Sequence, residues 1–102
     1  MAFTLGDPVK KFGTSGGHSI RSYNVSPDSA SGNVTISDVA EVYVLGVVPL
    51  SEAPTATTDN GIILALQNAT TLNQVDITLW ASSFVAATTF KDFLLTVMCV
   101  DA

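Results

Sequence analysis

The residue types that most often carry out chemistry are scarce in this chain. It has one histidine, His18, and one cysteine, Cys99. A lone histidine cannot share a metal ion with a second one, and no carboxylate lies within three residues of it. Cys99 cannot form an internal disulfide and lies in the apolar run 94–100, so we expect a small buried hydrophobe rather than a reactive thiol.

The glycine-rich segment 13–17 is superficially similar to two catalytic motifs. A phosphate-binding loop needs a lysine after its last glycine, and none follows Gly17. Ser15 as a nucleophile would need a base and an orienting acid held around it. Among the carboxylates only Asp38 and Glu41 are close together, and we expect them to flank the start of a strand. The sequence therefore predicts no enzyme, no metal site and no cofactor.

Trp80 is the most distinctive candidate for a binding contact. It alternates with the apolar residues of 75–81 and shares its face with Asp76 and Thr78. An exposed tryptophan beside polar groups can stack on a sugar ring. Tryptophan is also enriched in the cores of subunit interfaces, and we favour that interpretation.

Charge divides the chain into two parts. Only four of the 102 residues are Lys or Arg, and three of them precede residue 22. Residues 1–21 carry a formal charge of +2, and the remaining residues carry −7. The net charge of −5 argues against nucleic acid as a partner, because binding phosphates needs clustered basic side chains.

Residues 1–17 are predicted to form a flexible basic arm ahead of a single β-rich domain, 18–102. Pro8 and four glycines interrupt any helix or long strand in the arm. Apolar residues spaced along a flexible segment usually dock on a partner or on the body. We predict partner contacts by Trp80 and by these arm residues: Phe3, Leu5, Val9, Lys10, Lys11 and Phe12.

The composition predicts a protein whose surface is permanently buried in an assembly. It is 47% hydrophobic and 13% charged, whereas about 25% charged is usual for a soluble domain. Ten Ser and twelve Thr supply most of the polarity, and a surface poor in charge is weakly protected against association. No apolar run approaches the ~20 residues of a membrane helix, and residues 1–17 lack the core of a signal peptide. We therefore expect no membrane partner and synthesis in a cytoplasm.

The pattern of apolar residues predicts an all-β fold, a small antiparallel β-sandwich or barrel-like domain. Strands are expected at 18–25, 33–37, 41–48, 62–66, 75–81 and 93–100. The segment 41–48 is apolar on both faces, which predicts burial by the core on one side and by another sheet or subunit on the other. The last segment, 93–100, is also apolar on both faces, and we expect it to be central in its sheet. Residues 83–91 have partly helical spacing, although Thr88 and Thr89 weaken that prediction.

The body resembles small structural proteins of tailed bacteriophages. The likeness covers residues 32–100 and rests on 32–36 (Gly-Asn-Val-Thr-Ile), 42–49 (Val-Tyr-Val-Leu-Gly-Val-Val-Pro), 75–81 (Val-Asp-Ile-Thr-Leu-Trp-Ala) and the final strand 93–100. The resemblance implies a head decoration (cement) protein, made in the host cytoplasm, that binds the major capsid protein on the exterior of the virion as a homotrimer. The alternative is a carbohydrate- or host-surface-binding module of a tail or fibre, with Trp80 and loop 49–60 as the contact.

Overall fold

The computed structural model is an all-β sandwich in which two antiparallel sheets pack face to face. It describes residues 3–13, 17–49, 60–81 and 84–101. The strands are β1 (Thr4–Gly13), β2 (His18–Ser26), β3 (Ser31–Thr35), β4 (Val39–Pro49), β5 (Ile62–Gln67), β6 (Gln74–Trp80) and β7 (Phe93–Asp101). The predicted fold class and the six predicted strands are confirmed, and β1 is an additional strand.

The strand order is β1-β2-β7-β4 in one sheet and β3-β6-β5 in the other. The prediction that the last strand is central is confirmed, since β7 lies between β2 and β4. No helix in the part of the chain that the structure describes is long and apolar enough to span a membrane.

The core lies between the sheets and is built from alternate residues of the central strands. In β7 these are Phe93, Leu95, Val97 and Cys99, and in β6 they are Val75, Ile77 and Leu79; each is at most 1% exposed. Burial of one large aliphatic or aromatic side chain contributes about 1.5–3 kcal/mol, so this double row dominates the stability of the fold. Cys99 is fully buried in the core, as predicted.

A β-bulge in β4 changes which residues face the core. The register against β7 shifts between Val44 and Gly46, so one extra residue is accommodated there. Simple alternation predicts that Val44 and Val48 share a face. After the bulge Val47 instead packs against the core, and Val48 is 52% exposed.

The N-terminal segment was predicted to be an arm, whereas its residues Thr4–Gly13 form an edge strand of the larger sheet. Two irregularities in the pairing, on either side of Pro8, accommodate a residue that has no backbone N–H to donate. The backbone N–H of Phe3 donates to the carbonyl of Asn33 at 2.8 Å, which ties the start of this strand to β3 in the opposite sheet.

The two helical turns considered for 83–91 are absent from the described residues 84–91. Phe84 has φ of 65°, a left-handed conformation that does not continue a helix. Ala86 forms an isolated bridge with Trp80. Further along, Lys91 is fixed by the Asn60 amide, whose Oδ1 accepts from its N–H at 2.7 Å and whose Nδ2 donates to its carbonyl at 3.2 Å.

Candidate interaction surface

The predicted partner residues of the N-terminal segment fall into two groups. Phe3 is 5% exposed and belongs to the core, and Leu5 is half-buried against it. Their apolar character therefore serves the fold. Four other predicted contacts lie in β1, but their side chains lie outside the described residues: Val9, Lys10, Lys11 and Phe12.

Trp80 lies at the end of β6 on the outer face of the smaller sheet, where the sequence predicted it. It is half-buried, opposite Ile62 of β5 and bridged to Ala86. Asp76 and Thr78 stand on the same face of the strand. The structure does not bring Trp80 together with Phe3 or Leu5, which lie on the inner side of the fold.

A partly buried ionic cluster joins β2 to the turn that follows β3. Arg21, 5% exposed, donates from Nη1 to both carboxylate oxygens of Asp38 at 2.9 and 3.0 Å. The same nitrogen donates to the Tyr23 hydroxyl at 3.1 Å, and Nε donates to Ser19 Oγ at 3.2 Å. Arg21, Tyr23 and Asp38 border a cavity of about 220 Å³, together with Pro8 and neighbouring residues.

The electrostatics of this cluster favour a fixed structural cation. The hydrogen bond to Tyr23, ahead of the one to Asp38, raises the pKa of Arg21 above its ordinary value, although burial acts in the opposite direction. Burial raises the pKa of Tyr23, and the adjacent guanidinium partly offsets that effect. The cluster therefore holds a permanent positive charge and a neutral phenol, an arrangement that joins β2 to the 36–38 turn.

The sequence prediction missed this pairing. Arg21 was grouped with the basic N-terminal residues, and Asp38 with Glu41 at the entry to a strand. The available signal was the alternation of β2, in which Ser19, Arg21, Tyr23 and Val25 share the buried face. A single arginine on the core face of a strand requires a carboxylate nearby.

The open side of the sandwich carries an apolar groove between the edge strands β4 and β5. The groove has a volume of about 410 Å³ and no charged residue in its lining. Its walls are Val44, Leu45, Gly46 and Val47 of β4 and Ile63, Leu64, Ala65, Leu66 and Gln67 of β5. Leu45 and Leu66 are 55% and 56% exposed. The groove therefore exposes apolar surface to solvent, and a binding partner could bury it.

A second apolar surface continues from this groove across the outside of the larger sheet. We call it the β4–β7 outer face, and its apolar residues are Tyr43, Val48, Leu94, Met98 and Val100. Thr96 lies among them, and the Glu41 carboxylate at one end accepts a hydrogen bond from the Tyr43 hydroxyl. Tyr43 pairs with Met98 and Val48 with Leu94 across the two strands. Tyr43 and Val48 are exposed, and the three residues of β7 are half-buried. The predicted two-sided apolar strands are present, with the outer side facing solvent.

Among the described residues, no group of three or more His, Cys, Asp or Glu side chains is arranged to hold a metal ion. Comparisons with models of protein families, with curated proteins and with solved structures found no match to this chain.

Proposed function

We propose that this protein is a non-enzymatic decoration protein that binds the exterior of a tailed-phage capsid and stabilises it. The single observation that carries the proposal is the β4–β7 outer face, a largely apolar sheet surface left exposed in a chain of low charge. Large apolar patches on soluble domains mark sites of association. The phage context comes from the sequence resemblance over residues 32–100.

The β4–β7 outer face has the properties of a contact made by a rigid module. It lies on the longest strand pairing of the fold, that of β4 with β7, so its backbone is fixed before a partner arrives. Burying the exposed half of Val48 contributes about 1 kcal/mol, as half the value for a fully buried side chain. Several such contacts, repeated over neighbouring capsid subunits, raise the cost of releasing any one subunit.

The proposal also assigns a role to two basic residues of the N-terminal segment. Lys10 and Lys11 lie in β1, at the opposite edge of the same sheet from β4. We propose that they help to orient the protein against acidic groups of the capsid. Exposed ion pairs contribute only about 0.2–1 kcal/mol each, so the apolar face sets the affinity. Because Phe3 is buried, it supports the sheet and not the contact.

The second candidate is a carbohydrate- or host-surface-binding module, and Trp80 is the observation that favours it. Its ring lies on an outer sheet face in a row with Asp76 and Thr78, which offer hydrogen-bond acceptors next to a stacking surface. A glycan array separates the two candidates. A decoration protein binds no defined sugar, whereas the module binds one class and loses it in Trp80→Ala.

Stability of the shell tests the decoration proposal. Shells assembled from the major capsid protein of the same genome are heated with and without this protein, and their disassembly is followed by light scattering. The proposal predicts a higher disassembly temperature that saturates at a fixed ratio of the protein to capsid subunits. Disassembly at the same temperature at every ratio would contradict it.

A further inference from the structure

The strand β5 is an edge strand without the usual protection against pairing. Edge strands in soluble proteins carry charges, prolines or bulges that prevent another strand from adding to them. At the opposite edge of the sandwich, β1 has Pro8, two lysines and two irregularities in its pairing. β5 has the sequence Ile-Ile-Leu-Ala-Leu-Gln, with neither charge nor proline, and its register against β6 is regular.

The hydrogen-bonding groups that β5 leaves free can be assigned from its hairpin with β6. The N–H of Asn68 donates to the carbonyl of Gln74 at 2.8 Å, beside the last pair of the ladder, Gln67 with Val75. Because hydrogen-bonded and non-hydrogen-bonded pairs alternate in an antiparallel ladder, the backbone groups of Ile63 and Ala65 point away from β6. Among the described residues, no strand pairs with that edge.

The side chains of β5 alternate between the core side and the outer side of the sheet. Ile63 and Ala65 pack on the core side, beside the β4–β5 groove. Ile62, Leu64 and Leu66 form the outer row, in which Leu64 is 41% exposed and Leu66 56% exposed. A strand that adds to this edge must therefore bring apolar residues on both of its faces.

We propose that β5 pairs antiparallel with β5 of a second copy of this chain, about a two-fold axis at Leu64. An uncharged apolar edge with free backbone groups is the complement of another such edge, and β5 itself is one. Two chains of net charge −5 repel each other, and pairing through β5 keeps that repulsion small because neither strand carries a charge.

The register follows from the two faces of the strand. Residues directly opposite each other in a sheet point to the same face, so an outer residue must meet an outer residue. Leu64 then faces the partner's Leu64, and Leu66 faces the partner's Ile62. Ile63 exchanges backbone hydrogen bonds with the partner's Ala65, which uses the free groups assigned above. The two smaller sheets merge into one sheet across the axis.

This pairing is isologous and therefore produces a dimer, where the resemblance to phage proteins predicts a trimer. It does not depend on capsid binding, because β5 and the β4–β7 outer face are different surfaces. A dimer that fails to bind capsids would contradict the proposed function alone. A monomer that binds capsids would contradict the pairing alone.

Cysteine cross-linking tests the register. At a non-hydrogen-bonded pair the Cα atoms are about 4.5 Å apart, within the range of about 4.4–6.8 Å that a disulfide spans. Leu64→Cys should therefore form a covalent dimer rapidly under mild oxidation. In Leu66→Cys the two cysteines would be four residues apart along the strand, about 13 Å, and should not cross-link. A mixture of Leu66→Cys with Ile62→Cys should cross-link again.

The native Cys99 is fully buried and gives a low background. Leu72→Cys, at a turn residue with 40% exposure, reports random collisions. If Leu64→Cys cross-links no faster than Leu66→Cys and Leu72→Cys, the proposed pairing is overturned. In a second measurement, light scattering after gel filtration should give twice the chain mass of 10.6 kDa. Leu64→Lys should weaken the dimer at least tenfold and Leu72→Lys should not; a monomeric wild type would also overturn the proposal.

Discussion

Nη1 of Arg21 lies 2.9 Å from Oδ2 of Asp38 and 3.0 Å from Oδ1, so a cation of β2 is held by a carboxylate of the turn before β4. The two ends differ in exposure: the arginine side chain is 6% exposed and the aspartate 63%. The pair therefore satisfies a buried charge from the rim of the sandwich. Most of the aspartate remains in water, so the contribution of the pair to stability comes mainly from the cost of leaving the buried guanidinium without a partner.

Asp38→Asn should lower the free energy of unfolding by about 1 kcal/mol, a value kept small by the exposure of the aspartate. Urea denaturation measures it. Asp92→Asn is the matched control, since Asp92 is exposed and undergoes the same change of charge. Equal effects of the two substitutions would show that the Arg21–Asp38 pair has no specific role in stability.

Alkaline pH should destabilise the fold through Tyr23. Burial raises its pKa above the ordinary value of 10.0, so the folded protein holds the phenol proton more tightly than the unfolded chain does. Its contribution is fully present below about pH 10 and is lost as the pH rises through the folded-state pKa. The free energy of unfolding should therefore fall above about pH 10, and less steeply in Tyr23→Phe.

Ultraviolet absorbance provides an independent measurement of the same ionisation. The pKa of exposed Tyr43 is also raised, by the hydrogen bond that its hydroxyl donates to the Glu41 carboxylate. Both phenols should thus ionise at higher pH in the folded protein than in guanidinium chloride. Coincident titration curves in the two states would contradict the burial described for Tyr23 and the hydrogen bond described for Tyr43.

Core and surface leucines should respond very differently to truncation. Leu95 is fully buried in β7, and Leu95→Ala should lower the free energy of unfolding by about 2–5 kcal/mol through lost burial and a residual cavity. Leu66 is 56% exposed. Under conditions where the protein is monomeric, Leu66→Ala should lower the free energy of unfolding by less than about 1 kcal/mol. A large loss at Leu66 in the monomer would mean that β5 packs more deeply than the structure shows.

Phe3 distinguishes a strand that belongs to the fold from an arm that docks elsewhere. Phe3 is a core residue, and its backbone is hydrogen-bonded to Asn33. The substitution Phe3→Ala should therefore lower the free energy of unfolding by about 3 kcal/mol. A docking arm would leave stability unchanged and reduce only partner binding. Thermal denaturation of the isolated protein separates these outcomes.

The sequence alone predicted the elements whose signal is local. Val75, Ile77 and Leu79 alternate with polar residues, and this pattern specifies β6 and its buried face without reference to the rest of the chain. The continuous apolar run of β7 is also a local signal, and it identified a central strand. Such patterns follow from the two-residue period of a strand and need no tertiary information.

What the sequence did not predict depends on contacts between distant segments. β1 contains two glycines and a proline and becomes a strand because β2 offers an edge. The bulge near Leu45, which moves Val47 to the core and Val48 to the surface, is set by the register against β7. The pairing of Arg21 with Asp38 joins residues 17 apart and appears only when the 36–38 turn packs over β2.

Binding to capsids through the β4–β7 outer face is the central claim, and sedimentation with assembled shells tests it most directly. Wild type, Val48→Glu and Thr35→Glu are mixed with shells of the major capsid protein of the same genome, and the bound fraction is measured against concentration. Val48 and Thr35 are both exposed β-branched strand residues, on the larger and the smaller sheet respectively. We predict saturable binding of wild type and Thr35→Glu, with at least tenfold weaker binding of Val48→Glu; failure of the wild type to sediment with shells, or equal binding by all three proteins, would contradict the account.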